Sequence, residues 1–325
     1  MIANPELRAL RRDDSPQCDA QEALGQALDA WRAKPDIAAL HAEFEAFAAG
    51  AELEHCPALA ALFTPGSSAA RELAADFSAM TCAALAASPL GHVPLRHFTD
   101  GITSTVLIAR AVNVTLSLVA IDGEGLGQRP ESATASFGSN QTWEYVLGGA
   151  AGVELVTCHP IGPHQARLER RAVEIARGSI QFRDGQRDAR LLRRIDGALV
   201  TLRLQRRRAN ADVTREYDLA SGQMLHQAAG NPRDSRLELM LAMLGRMGRK
   251  DAAPHMAELA LGEAGSALRW QALRECLALD TQIGFGALAR IAARSEDALS
   301  GPAGVLRAQL IEAHPQLQKV EPCPM

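Results

Sequence analysis

Short runs in which apolar and polar side chains alternate, concentrated between residues 101 and 230, narrow what this 325-residue chain can fold into more than any other feature. Val114-Thr115-Leu116-Ser117-Leu118 alternates strictly, and Val119-Ala120-Ile121 continues the run. Side chains of a β-strand point to opposite faces in turn, so this period of two marks a half-buried strand. Trp143, Tyr145 and Leu147 repeat the pattern, as do Val200, Leu202 and Leu204 with Thr201, Arg203 and Gln205 on the opposite face. Asp122-Gly123, Asp184-Gly185 and Asp196-Gly197 lie between such runs, and each pair supplies the positive φ of a tight type I′ hairpin turn. A fourth turn, Ala220-Ser221-Gly222-Gln223, separates Arg215–Leu219 from Met224–Gln227. The runs predict about eight to ten antiparallel strands, enough for a sandwich or a closed barrel.

On both sides of this region the spacing changes to that of helices. Leu24, Leu28 and Trp31 fall on one face, and Leu40, Phe44 and Phe47 follow Asp36 at three- and four-residue intervals until Gly50. Pro57 opens a short helical turn, and Ser68–Ala87 reads as a long Ala-rich helix. After Gly230, Leu237, Met240, Leu241 and Leu244 form a stripe. Helices are then expected over 252–261, from Ser266 to Leu279, over 281–293 and over 303–313. The sequence therefore divides into an N-terminal helical unit over 1–100, an antiparallel β domain over 101–230 and a C-terminal helical unit over 231–325, an α+β arrangement. Successive short helices joined by Gly, Pro and Asp turns, such as Asp251–Leu261 followed by Ala267–Leu279, resemble HEAT-type pairs. Met240, Met243, Met247 and Met256 read either as core or as an adaptable partner groove.

Charge is distributed unevenly. Residues 1–100 hold 14 acids and 7 bases, whereas 167–215 hold 14 arginines and 6 acids. These arginines either line a solvated face and pair with acids of the N-terminal helices or form a site for an anionic ligand, since guanidinium groups suit carboxylate and phosphate. Arg203, Arg206, Arg207 and Arg208 are the ligand-binding candidates. Phe182 is the only aromatic residue in that stretch, which disfavours nucleic acid as a partner. The six cysteines are widely spaced and form no Cys-x-x-Cys pair, the pattern of reduced thiols in a cytoplasmic protein. No apolar leader and no membrane-length apolar run is expected. Phosphate-binding glycine loops, the nucleophile elbow and the zinc-helix motif are missing from the sequence.

Two segments carry candidate metal chemistry. The junction Pro89–Gly101 contains His92, His97 and Asp100. Cys158-His159-Pro160-Ile161-Gly162-Pro163-His164, followed by Glu169 and Gly178, resembles the first metal-binding motif of the cupin superfamily, small β-barrels with a His/His/Glu metal site. The resemblance implies a cupin-like barrel over 101–230 with His159, His164 and Glu169 as ligands, completed by His97 or His226. One divalent iron, manganese, nickel or zinc ion would suit those donors. Two functions follow. One is a ligand-binding or regulatory protein whose barrel recognises a small anionic ligand or a partner's acidic segment and whose C-terminal helices meet a protein partner. The other is a metal-dependent cupin-type oxygenase or isomerase. A homodimer is left open, and no cofactor is assigned by the residues themselves.

Overall fold

The computed structural model describes residues 13–208, 213–230 and 232–319. The chain divides into two compact units, Met1–Ala209 with Glu216–Leu225, and Asn210–Arg215 with His226–Met325. Among the described residues the first begins with four α-helices, α1 (Ser15–Arg32), α2 (Pro35–Ala48), α3 (Pro57–Ala61) and α4 (Ala69–Ala87). The first three each have a proline in their opening turn, where a missing N–H costs nothing.

Strands β1 (His97–Thr99), β2 (Thr103–Arg110) and β3 (Val114–Asp122) come next, then a five-residue helix α5 (Gly123–Gly127) and β4 (Thr134–Phe137). They are followed by β5 (Asn140–Gly162), β6 (Gln165–Ala176), β7 (Ile180–Asp184), β8 (Asp188–Arg207), β9 (Thr214–Asp218) and β10 (Met224–Ala228). The large sheet is antiparallel in the order β1-β2-β3-β8-β5-β6, with β7 also on β5, and β10-β9-β4 form a small second sheet. Pairing of β1 and β6 to close the large sheet is not seen among the described residues, so the expected barrel is an open, bent sheet instead.

Two strands dominate this architecture. The 23-residue β5 pairs through Asn140–Gly148 with the end of β8 and through Ala150–Thr157 with its beginning, while β7 and β6 occupy its other edge in turn. The register slips at Val146, Gly148 and Ala150. There Gly149 has φ +84°, and a Cβ would stand 2.0 Å from the Ala198 carbonyl oxygen. Gly197, with φ +72°, lies opposite in β8. Asp196-Gly197 therefore supplies the positive φ its sequence promised but uses it for a bulge inside a continuous 20-residue strand, not for a hairpin. Asp122-Gly123 also departs from the expected hairpin. The Asp122 carboxylate accepts the Gly125 N–H at 2.7 Å and starts α5. Ala220–Gln223 turns the chain between the paired β9 and β10, whereas Asp184-Gly185, where Gly185 lacks the expected positive φ, turns it between β7 and β8, which each pair with β5 and not with each other.

The register assigns the two faces of the sheet. Val114, Leu116 and Leu118 of β3 pair with Arg206, Leu204 and Leu202 of β8, which pair in turn with Gln141, Trp143 and Tyr145 of β5. This apolar face packs under α2 and α3 with Phe44, Phe47 and Leu59 in one core. Leu116, Leu202 and Leu204 are at most 1 % exposed, each such side chain contributing roughly 1.5–3 kcal/mol. Around the bend Val119, Val146, Val153, Ile195 and Leu199 form a second core, and the small sheet brings Phe137 and Tyr217 against Val156 and Ala189 in a third.

The second unit holds α6 (Pro232–Arg246), α7 (Ala253–Leu261), α8 (Ser266–Leu279), α9 (Thr281–Ala292) and α10 (Ser300–Ala313). Met256, Leu268, Leu273, Phe285 and Leu288 fill its core, and Asp280 caps α9 by accepting the Ile283 N–H at 3.0 Å. Of the four methionines, only Met256 is core. Met240, Met243 and Met247 are 54–63 % exposed. Among the described residues no helix is long and apolar enough to cross a membrane.

Candidate ligand-binding cavity

The face opposite the helices is polar and still buried. Strand register aligns Ser117 of β3, Arg203 of β8, Glu144 of β5 and Gln181 of β7 across it, with Gln205, Thr142 and Arg183 in the next row. Ser117, Thr142, Glu144 and Thr201 are all under 9 % exposed. Burying polar groups costs free energy unless they are partnered, so the partners on this face are decisive.

Glu144 is the centre. Its side chain is 1 % exposed, and Arg183 and Arg190 stand 2.6 and 2.8 Å from Oε2. Arg203 donates to Oε1 from Nε at 2.8 Å and has Nη2 equally close. The contacts at Oε2 are short but poorly directed, so that oxygen receives charge without a well-aligned hydrogen bond. Gln181 Oε1 accepts from both Arg183 and Arg190, at 3.4 and 3.3 Å. Arg190 belongs to the first half of β8, whereas Arg203 belongs to the second, so the bend is what lets one strand reach Glu144 twice. Burial raises the Glu144 carboxyl most, yet Arg190, Arg203 and Arg183 together outweigh it and hold the group at about 2. Burial is also the main influence on Arg190, lowering it to about 10 against the support of Glu144.

Three guanidinium groups on one carboxylate leave two positive charges in excess. They border a cavity of about 520 Å³ lined by Arg183, Arg190, Arg203, Asn140, Thr142 and Gln205, with Ser132, Thr134 and Ser136, Asp188 and Glu216 around the rest. Arg183 Nε and Nη2 and Arg203 Nη1 make no hydrogen bond among the described residues.

Of the arginines singled out from sequence, Arg203 lies on this cavity and the other three do not line it. Arg206 points to the opposite face, where its guanidinium lies 4.2 Å from the centre of the Phe47 ring and donates to the Ala51 carbonyl at 2.9 Å. Arg208 pairs with Asp184 at 2.7 Å. Arg207 donates its backbone N–H to Asn113. The acids that meet the basic stretch come mainly from the sheet itself. Glu144, Glu154, Glu169, Glu174, Asp184 and Asp196 each pair with arginine, and Glu52 is the N-terminal helical unit's contribution, at 3.4 Å from Arg206.

The metal candidates are placed separately. His159 of β5 and Glu169 of β6 approach to 3.5 Å. His164 occupies the turn between those strands, His97 lies exposed on β1 with Nδ1 3.1 Å from the Leu95 carbonyl, and His226 is exposed on β10 in the other unit. No group of three or more His, Cys, Asp or Glu side chains that could hold a metal occurs among the described residues. Two donors do not make a divalent site, so the residues present do not fit the expected ion. At the junction, Asp100 closes a turn by accepting the Ile102 and Thr103 N–H groups, and His92 bonds to Gln21.

No protein-family model matches the chain. No curated protein matches it either. Among solved structures it is similar to a cupin superfamily protein from Desulfitobacterium hafniense, at 11 % identity over 34 % of this chain and 83 % of that one, with a TM-score of 0.24. It is also similar to a sugar phosphate isomerase of the cupin superfamily from Silicibacter pomeroyi, at 13 % identity over 39 % and 76 % of the two chains, TM-score 0.24. An oxalate decarboxylase from Lactobacillus farciminis matches at 13 % identity over 41 % of this chain and 38 % of that one, TM-score 0.26. At these scores the likeness carries no argument, and the fold rests on the register of its own strands.

Proposed function

We propose that this chain binds a small anionic ligand in the cavity bordered by Arg183, Arg190 and Arg203. The observation that carries the reading is the unequal cluster, three arginines against the single buried carboxylate of Glu144. A sheet that needed only stability would bury apolar residues there, because replacing a buried ion cluster by well-packed hydrophobic residues is often neutral or stabilising. The positive excess of the cluster on Glu144 and the uncommitted nitrogens of Arg183 and Arg203 suit a carboxylate or phosphate, which guanidinium groups can hold with two bonds at once. The partner-facing role read for the C-terminal helices is a second part of the proposal, supported by the exposed Leu239, Met240, Met243 and Met247.

The test is calorimetric titration of the full chain with glutarate and with inorganic phosphate, in the wild type and in Arg183→Gln. Micromolar to millimolar binding that weakens about tenfold in the variant is expected, as for loss of one charge-assisted hydrogen bond. Equal affinity in the two proteins removes Arg183 from the site and sinks the reading.

A further inference from the structure

The cavity also holds acids, and they are the exception on this sheet. Six of the seven acidic residues on β5, β6, β7 and β8 pair with an arginine: Glu144, Glu154, Glu169, Glu174, Asp184 and Asp196. The seventh, Asp188, lines the cavity, and so does Glu216 of β9. Neither has a guanidinium, ammonium or imidazole group within ion-pair distance among the described residues. Both are instead held by hydroxyls. Thr157 donates to Asp188 Oδ1 at 3.1 Å, and Thr134 donates to Glu216 Oε1 at 2.5 Å. The second oxygen of each carboxylate makes no hydrogen bond among the described residues.

In a stretch with 14 arginines and 6 acids, an acid without a cation is not explained by a shortage of cations. Asp188 and Glu216, each with one uncommitted carboxylate oxygen, line the same 520 Å³ space as Arg183 and Arg203, each with uncommitted guanidinium nitrogens. The two sets share β8 alone, at its opposite ends. The free guanidinium nitrogens come from β7 and the second half of β8, the free carboxylate oxygens from β9 and the first residue of β8. With Glu144 counted, the charges around the cavity balance at three positive and three negative, so a simple dianion would gain at the arginines and lose at the acids.

We infer that the ligand is a zwitterion of amino-acid type, its carboxylate on Arg183 and Arg203 and its ammonium group on Glu216 and Asp188. This inference rests on the anion-binding reading above and names the ligand class for that same cavity. A compound with both groups satisfies both sets of uncommitted atoms, whereas a dianion satisfies the arginines alone and binds more weakly. The neutral lining of Ser132, Ser136, Asn140 and Gln205 then serves the polar remainder of the molecule.

Two pairs of compounds with matched carbon chains decide it, glutamate against glutarate and alanine against propionate, titrated into the full chain by calorimetry. The amino compound of at least one pair should bind about tenfold tighter than its partner, the increment of a charge-assisted bond. Glu216→Gln should reduce that preference to less than about threefold, with the affinity of the deaminated partner unchanged or improved. Thermal melts of the variant establish that it folds, and Asp188→Asn serves if Glu216→Gln does not. Deaminated partners that bind as tightly as the amino compounds in both pairs would overturn the zwitterion while leaving an anion site. Absence of binding by all four compounds and by inorganic phosphate would overturn both readings. A preference for the amino compound that survives both substitutions would overturn the assignment of its ammonium group.

Discussion

The two faces of the sheet formed by β3, β8 and β5 are built from the same strands and differ by one residue of register. On one face Leu116, Leu204 and Trp143 lie in a row beneath Phe47, and on the other Ser117, Arg203 and Glu144 lie in a row beneath a cavity. Leu116 and Leu204 in the first row and Ser117 and Glu144 in the second are buried, while Arg203 keeps 27 % of its side chain exposed. The first is stabilised by area and packing, with no requirement for a particular partner. The second depends on partner identity, because each charge there is tolerated only while its counterpart is present. A buried polar face is thus the part of this unit that stability alone does not explain.

Substitutions can break or sharpen that contrast. Phe47→Ala removes a ring that is fully buried and packed edge-on against Trp143 with centroids 5.6 Å apart. It should destabilise the protein by about 4 kcal/mol in urea unfolding at any pH between 5 and 8, with ligand affinity unaffected.

Glu144→Gln should destabilise by about 3 kcal/mol at pH 7, because it leaves three guanidinium groups without their counter-charge. Its loss should depend on pH as that of Phe47→Ala does not. The Glu144 carboxyl is held at about 2 against an ordinary 4.5, a folded value below the unfolded one. Its contribution is therefore complete above pH 4.5 and disappears as pH falls through about 2, roughly 3 kcal/mol in all. Urea unfolding at several pH values across that window should show a steep acid limb in the wild type and a shallower one in the variant. Identical limbs would mean that the two faces do not differ in the way described.

Arg206→Ala tests a residue that carries charge onto the apolar face. Its guanidinium covers Phe47 and donates to the Ala51 carbonyl, and its side chain is 11 % exposed. A loss of about 2 kcal/mol is expected, only partly recovered by Lys, whose ammonium group cannot reproduce the flat stacking. Unchanged ligand binding would keep Arg206 apart from the cavity.

Much of this fold is written in local patterns. Alternation at Val114–Ile121 and Val200–Leu204 marks β3 and β8 correctly, and the glycines and prolines after Gly230 delimit the C-terminal helices to within a few residues. The cavity is harder to see. Trp143-Glu144-Tyr145 shows a polar residue between two aromatics, and alternation alone assigns such a residue to solvent, since it identifies two faces without saying that both are covered. Glu144 becomes visible only when the register places it beside Arg203 and the bend brings Arg190 over it. The run Arg206-Arg207-Arg208 looks like one patch in sequence, but neighbouring residues of a strand face opposite ways, and a period-two reading already separates Arg206 from its neighbour. Asp196-Gly197 shows a related limit. The same dipeptide with the same positive φ serves a hairpin or a bulge, and the long-range pairing of β8 with β5, whose register skips both Gly197 and Gly149, selects the bulge.

The bend at Gly148-Gly149 has a further consequence for how this unit comes apart. Since β5 and β8 run unbroken through both halves of the large sheet, the rungs between them in either half belong to the same two backbones. Neither half can fray without pulling on the ladder of the other. The arginine side of the cavity is therefore framed by a single cooperative block whose rigidity comes from continuity of chain, with the glycines acting as fixed creases and not as hinges.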